Sequence, residues 1–263
     1  MAKNVYVLLV MYRKYGERSA ACESLRRFGF SNVLVMDNSE DDFDTEAYCR
    51  ELGWSYIKMP GNSGFSRAYN VGIDYLKGKA DYVVLLDDDT ALGQTYIGAL
   101  HYAVVMSPET RIFLPTVKDR KGILSPCRAR RWGVHRTNDP ASIPPQELSG
   151  ISSGMALAMS IFDDYAFDER YFVDFVDHAF LRDMRARGET VELLDTELTR
   201  RFSDMDGVRR DKILARFKLF CRDCRVYYGD SWLGRIYASL VLLRRRMGIS
   251  RELHRAAHPK DKK

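Results

Sequence analysis

The stretch "YVVLLDDDTALG" (Tyr82 to Gly93) ends an apolar run in three consecutive aspartates. Adjacent carboxylates repel one another, so a solvated turn gains little from all three. In extended chain, alternate side chains face the same way, so Asp87 and Asp89 converge while Asp88 points away. Two convergent carboxylates at a strand end suit Mg²⁺ or Mn²⁺, which prefer oxygen ligands and often hold substrate phosphates as well. The plain alternative is a solvated turn before a helix, and the aspartates alone do not separate the two.

Two other segments carry polar groups in a telling order. "GNSGFSRAYNVGI" (Gly61 to Ile73) has glycines that allow close backbone approach, followed by a helix bearing Arg67 and Asn70. Such a turn can cradle an anion, or it is a simple turn with Ser66 as helix cap. It is not a phosphate-binding G-x-x-x-x-G-K-[ST] loop, and no G-x-G-x-x-G follows the first strand, which disfavours nucleotide triphosphatases and dinucleotide folds. "FDERYFVDFVDHAFLRDMRARG" (Phe167 to Gly188) sets Asp168, Glu169, Asp174 and Asp177 among aromatics. A carboxylate in such surroundings can serve as a general base. An acid-rich helix start stabilised by the helix dipole explains the same pattern.

These residues need a scaffold that brings strand ends together. Short apolar runs alternate with helical periods: "VYVLLVM", a helix over Arg18–Phe28, "NVLVM", a helix over Thr45–Leu52, "SYIKM", a helix over Ser66–Leu76, then "YVVLL". That alternation predicts an α/β fold with a mostly parallel sheet covered by helices. Ligands of such sheets sit beyond the carboxyl ends of the strands. Asp37-Asn38-Ser39, Gly61 to Gly64 and Asp87 to Asp89 all fall there. A helix over Gln94–Met106, strands "RIFLPTV", "SGMALAMS" and "TVELL", and a helix over Phe175–Ala186 complete the pattern. Lys118 to Pro145, rich in Arg, Pro and Gly, reads as a long irregular loop.

The 263 residues suffice for one large domain or one domain with an appendage. Beyond Gly207 the chain turns helical. From Val208 to Lys263 there are 16 Lys and Arg against five Asp and Glu, whereas the rest of the chain is net acidic. A basic tail on an acidic body points to an anionic partner, a membrane surface or an acidic partner face before a nucleic acid, for which no motif is in sight, or to a helix packed on the body with its basic edges in water. We therefore divide the chain into a catalytic unit over 1–207 and a basic amphipathic helical extension over 208–263. No charged-then-apolar leader opens the sequence, and its longest apolar run is far short of a membrane span. Five scattered cysteines, with Cys221 and Cys224 as helix-surface thiols, fit a reducing cytoplasm.

Taken in order, "YVLLVMYRKYG", "VLVMDNSEDD", "GNSGFSRAYNVGI", "VVLLDDDT", "SSGMALAMS" and "FDERYFVDFVDHAF" resemble the inverting family 2 glycosyltransferases of GT-A fold. The flavour is that of rhamnosyl- and galactofuranosyl-type transferases of bacterial surface polysaccharides. The resemblance runs from about Val5 to Leu198. It implies donor-side residues Tyr12, Asp37, Asn62, Gly64, Arg67, Asn70, Asp87 and Asp88, with Asp37 reading a pyrimidine base. It implies Asp87 and Asp89 on the metal, Mg²⁺ or Mn²⁺. Ser153 and Gly154 would lie on the acceptor side, and Asp177 would be the base. Many relatives carry a metal-binding histidine after the last strand. "TRRFSDMDG" (Thr199 to Gly207) has none, which leaves Asp204 or Asp206 as substitutes, or arginines that grip diphosphate directly. The implied reaction moves a sugar from a UDP- or dTDP-sugar to a hydroxyl of a lipid-linked or growing cell-surface glycan, at the inner face of the cell membrane. Two other classes compete: a sugar-1-phosphate nucleotidyltransferase, for which "MYRKYG" is a poor first loop, and a catalytically silent scaffold.

Overall fold

The computed structural model describes residues 3–200 and 210–257. Its strands are β1 (Val5–Met11), β2 (Val33–Asp37), β3 (Ser55–Lys58), β4 (Tyr82–Asp87), β5 (Thr90–Ala91), β6 (Ile112–Asp119), β7 (Gly122–Ser125), β8 (Cys127–Arg130), β9 (Gly133–Arg136), β10 (Leu148–Ser149), β11 (Met155–Ala158) and β12 (Val191–Arg200). Its helices are α1 (Ala20–Arg27), α2 (Thr45–Leu52), α3 (Phe65–Leu76), α4 (Tyr96–Met106), α5 (Val176–Ala186), α6 (Arg210–Tyr227) and α7 (Trp232–Ala257).

The main sheet runs β3-β2-β1-β4-β11-β6-β12-β5, with β7 added to β6. Strands β3, β2, β1 and β4 are mutually parallel. Strand β11 is antiparallel to both its neighbours, and β6 and β12 are parallel again. The unbroken apolar strands follow from burial on two faces. Leu8 and Val10, Leu34 and Met36, and Val83 and Leu85 pack under α3 and α5. The alternate residues Val7, Leu9 and Met11, Val33 and Val35, and Val84 and Leu86 pack under α1 and α4. Period-two alternation thus feeds two cores from one sheet.

Parallel register aligns the strand ends: Met11 pairs with Asp37, Val10 with Asp87, and Asp37 with Lys58. The polar residues after each strand therefore share one rim.

Three expectations need correction. The segment 118–145 is not an irregular loop. It forms β7, which extends the main sheet beside β6, and β8 and β9, which with β10 make a small antiparallel sheet ordered β10-β8-β9. Strands of four residues are too short for a pattern to register against the Arg, Pro and Gly around them. The last main strand does not stop at "TVELL" but continues to Arg200 after a register shift between Leu193 and Glu197. Cys224 is no surface thiol: it is fully buried where α6 meets α7.

Helix α6 is bonded firmly to the segment before α5. The buried Asp223 carboxylate accepts the backbone N–H groups of Phe172, Val173 and Asp174 at 2.8–3.0 Å. Arg216 forms a two-pronged ion pair with Asp174. Phe175, held at φ 65°, stacks on Tyr227 with ring centroids 4.7 Å apart.

Candidate active site

A cleft of about 480 Å³ opens at the shared rim, floored by Asp87, Asp88 and Asp89 and flanked by Tyr12, Asn62 and Gly64. Helix α6 supplies the opposite wall with Lys212, Ala215, Arg216 and Leu219.

The three aspartates have different partners. Asp88 pairs with Lys14, a residue whose role the sequence does not announce. Asp89 accepts from Arg200 Nε at 2.8 Å and from the Thr90 hydroxyl at 3.0 Å. Arg200 also reaches Asp87, at 3.7 Å. Asp87 and Asp89 do converge, and a protein cation lies between them. The cause is local pairing. Strand β5 turns straight back after the aspartates and pairs with the end of β12, setting Arg200 opposite Thr90.

Burial pushes the Asp87 carboxyl up to about 6, against the pull of Arg200. Burial likewise raises Asp88, with Lys14 opposing. Burial works against the Arg200 charge, but Asp87 and Asp89 outweigh it and keep the guanidinium charged. Asp87 Oδ1 and the Ser153 hydroxyl are both buried with no hydrogen bond of good geometry among the described residues, although Ser153 is near enough to pull the Asp87 pKa down. A buried carboxylate oxygen left unmatched is costly, and here it borders the cleft.

Other residues singled out by sequence lie around this floor in different ways. The Asp37 carboxylate is fully buried and already matched, by Lys58 Nζ at 2.8 Å, the Tyr56 hydroxyl at 3.0 Å and the Ser39 N–H at 3.0 Å. Burial raises its pKa, but these donors outweigh that and hold it below the usual carboxylate range. Tyr12 is half exposed, its hydroxyl near Glu40 at 3.4 Å. Gly64, and not Ser66, precedes α3. Its φ is 80°, and an added Cβ would lie 2.7 Å from the Phe172 carbonyl oxygen, so only glycine lets the two segments meet. Asn70 does not face the cleft. Its side chain brackets Phe167, donating to the carbonyl at 2.9 Å and accepting from the N–H at 2.8 Å. Arg67 is exposed on α3 and does not line the cleft.

On the far side, Asp177 occupies the first turn of α5. It accepts from the Ser152 N–H at 3.3 Å and from its neighbour His178 N–H at 2.8 Å. Ser152 in turn bonds the buried Tyr69 hydroxyl at 3.1 Å. Tyr69 feels the charges of Asp87, Asp177 and Arg200. Burial holds its hydroxyl protonated. Gly154 serves packing: at φ 82°, an added Cβ would meet Leu198 at 2.4 Å. Asp204 and Asp206 lie outside the described residues.

A family model described as "Glycosyl transferase family 2" matches residues 8–166. The chain belongs to this family. The match spans Asp37, the Gly64 turn and Asp87 to Asp89, and stops short of Asp177 and Arg200. No curated protein matches the sequence. Among solved structures, GalNAc-T7 bound to UDP, GalNAc and Mn²⁺ superposes with TM-score 0.59 at 11% identity, covering 76% of this chain and 44% of that one. TarS of S. aureus gives TM-score 0.54 at 15% identity, covering 91% and 42%. The mannosyltransferase PcManGT from Pyrobaculum calidifontis, in complex with GDP-Man and Mn²⁺, gives 0.59 at 12% identity, covering 100% and 77%. The chain thus spans less than half the length of the first two. At these identities the likeness is one of fold, and that fold is GT-A, as the family's members share.

Proposed function

We propose that the protein is a metal-dependent, inverting glycosyltransferase. It takes a pyrimidine nucleotide-diphosphate sugar, UDP- or dTDP-linked, and transfers the sugar to a hydroxyl of a lipid-linked or growing cell-surface glycan. It works peripherally at the cytoplasmic face of the membrane, with 1–207 as catalytic unit and 208–263 as an extension whose α6 walls the donor cleft. The observation that carries this reading is the cleft floor: three carboxylates at the end of the parallel strand β4, across a space of nucleotide size from Lys212 and from Arg216, itself paired with Asp174.

The donor set fits a hard divalent cation. Asp87 and Asp89 would hold it, and Asp87 Oδ1 makes no well-formed hydrogen bond that a cation would have to break. No group of three metal-ligating side chains is preassembled among the described residues, and Arg200 spans the two carboxylates. Arg200 must therefore turn from Asp89 before a cation takes that oxygen. When bound, the metal offsets charge on the departing diphosphate. The complexes of GalNAc-T7 and PcManGT with Mn²⁺ support the assignment. Lys212 and Arg216, the latter paired with Asp174, line the space a diphosphate would fill, and Lys14 is held on Asp88 at its floor. Asp37 comes to the base only if Lys58 gives way. Asp177 accepts the acceptor hydroxyl proton as that oxygen attacks the anomeric carbon opposite the leaving group, so the configuration inverts.

A silent scaffold is favoured by one observation, the neutralisation of Asp87 and Asp89 by Arg200. A nucleotide-release screen with UDP-, dTDP- and GDP-sugars, in Mg²⁺, Mn²⁺ or EDTA, separates the two. We expect release that needs metal, is abolished in Asp89→Ala and is only weakened in Asp88→Ala. Transfer by Asp177→Asn should fall about 10²–10⁴-fold with donor binding kept. Release unaffected by EDTA and by Asp89→Ala would sink the metal reading, and no release from any donor would favour the scaffold.

A further inference from the structure

Helix α7 leaves an apolar face uncovered. Its inner side, with Ala238 and Leu242, packs on Phe220 and Cys224 of α6. Tyr237 fixes it to the small sheet, its ring packed at a tilt on Trp132 with centroids 5.0 Å apart and its hydroxyl donating to the Trp132 carbonyl at 3.0 Å. On the opposite side Trp232, Ile236, Leu240, Leu243 and Met247 are 46–67% exposed. At 100° per residue these five, with Leu233, fall within a stripe about 100° wide and about 22 Å long. Exposed apolar side chains scattered singly mean nothing, but a contiguous stripe marks an interaction surface.

The borders of the stripe identify what covers it. Arg235 and Arg246 lie along one edge, Arg244 and Arg251 along the other, all exposed. Arg245 is not part of this rim: it stacks over the Phe220 ring at 3.7 Å. No acidic residue occurs between Trp232 and Arg251. Against a second copy of the same face, arginine would meet arginine. Against a membrane surface, the stripe enters the acyl boundary and the arginines meet anionic headgroups, the pattern of an interfacial helix. No helix among the described residues is long and apolar enough to cross a membrane, so α7 would lie in the interface plane. We infer that the outer face of α7 is a docking surface for an anionic lipid bilayer, with the apolar stripe inserted and four arginines on the headgroups.

This surface gives the lipid-linked acceptor of the transferase reading its location, and it is tested apart from that reading. The full chain is sedimented with vesicles of phosphatidylcholine, alone or with about 30% phosphatidylglycerol, over a salt series. We expect binding to the anionic vesicles that weakens with salt. The variant carrying Ile236→Gln, Leu240→Gln and Leu243→Gln should lose it by about tenfold or more. Arg235→Gln with Arg244→Gln and Arg246→Gln should remove the preference for anionic lipid. A bromine-labelled lipid should quench wild-type tryptophan fluorescence, and Trp232→Phe should abolish that quenching, a readout that needs no disruptive substitution. A wild type that ignores anionic vesicles, or a Gln variant that binds as well as wild type, overturns the proposal. So does a concentration-dependent dimer that the Gln variant abolishes while no vesicle binding is seen. Nucleotide release measured on the same samples shows whether the transferase reading survives independently.

Discussion

Arg200 is the residue on which the state of the metal site turns, and Arg200→Gln isolates it. Its guanidinium is 2.8 Å from Asp89 and 3.7 Å from Asp87, with the three side chains only 24%, 16% and 13% exposed. Breaking a fully buried ion pair by removing one partner costs about 3–5 kcal/mol. Partial exposure reduces this to about 2–3 kcal/mol. For a chain of this size each kcal/mol is worth about 2–4 °C in Tm, so the metal-free variant should melt about 4–12 °C below wild type. The same energy opposes metal entry in the wild type. If Arg200 must leave Asp89 first, Mn²⁺ should bind the donor-free variant about 30–100-fold more tightly, since each 1.4 kcal/mol is tenfold. Thermal melts across a Mn²⁺ titration give both quantities without catalysis, because ligand stabilisation grows with ligand concentration over Kd. Equal Tm values in metal-free buffer would show that the ion pair carries no energy. Equal Mn²⁺ affinities would show that Arg200 does not compete for the carboxylates.

Two further outcomes test how the site is held. Asp223→Ala removes a buried carboxylate that accepts three part-buried N–H groups at Phe172 to Asp174 and should cost about 3–5 kcal/mol in urea unfolding, with Asp223→Asn intermediate. It should also weaken nucleotide affinity, because Val173 and the α6 wall line the cleft; an unchanged urea midpoint would refute the link. Asp37 has a depressed carboxyl pKa in the folded state, so its stabilisation is present above the ordinary carboxylate range and is lost as pH falls through the folded pKa. The stability gap between wild type and Asp37→Asn, measured by denaturant melts, should be full at pH 7 and shrink below about pH 4; a gap that widens in acid would contradict the network drawn around Lys58 and Tyr56.

The sequence by itself determined the strands β1 to β4, the helices between them and the rim on which Asp37, Gly64 and Asp87 to Asp89 meet. Those features are local: apolar runs, helical periods, and polar residues that follow each strand in a parallel sheet. It also distinguished a basic C-terminal part from an acidic body, because charge adds along the chain. What it could not express is which long-range partner each polar group acquires. Asn70 matches the family pattern, yet its amide is used up on Phe167, a partner 97 residues away. Asp223 sits on a helix face that reads as apolar, and only the approach of Phe172 to Asp174 makes a buried carboxylate favourable there. The basic tail suggested charge as its function, whereas packing settled which of its faces is covered: α6 takes Leu242, and the Trp232 to Met247 stripe is left outside. Arg200 belongs to the same class. Thr199 to Gly207 shows arginines and aspartates without order. The antiparallel pairing of β12 with two residues of β5 places one of those arginines over two carboxylates more than 100 positions earlier, and a charge contact across 111 residues leaves no period in the sequence to read.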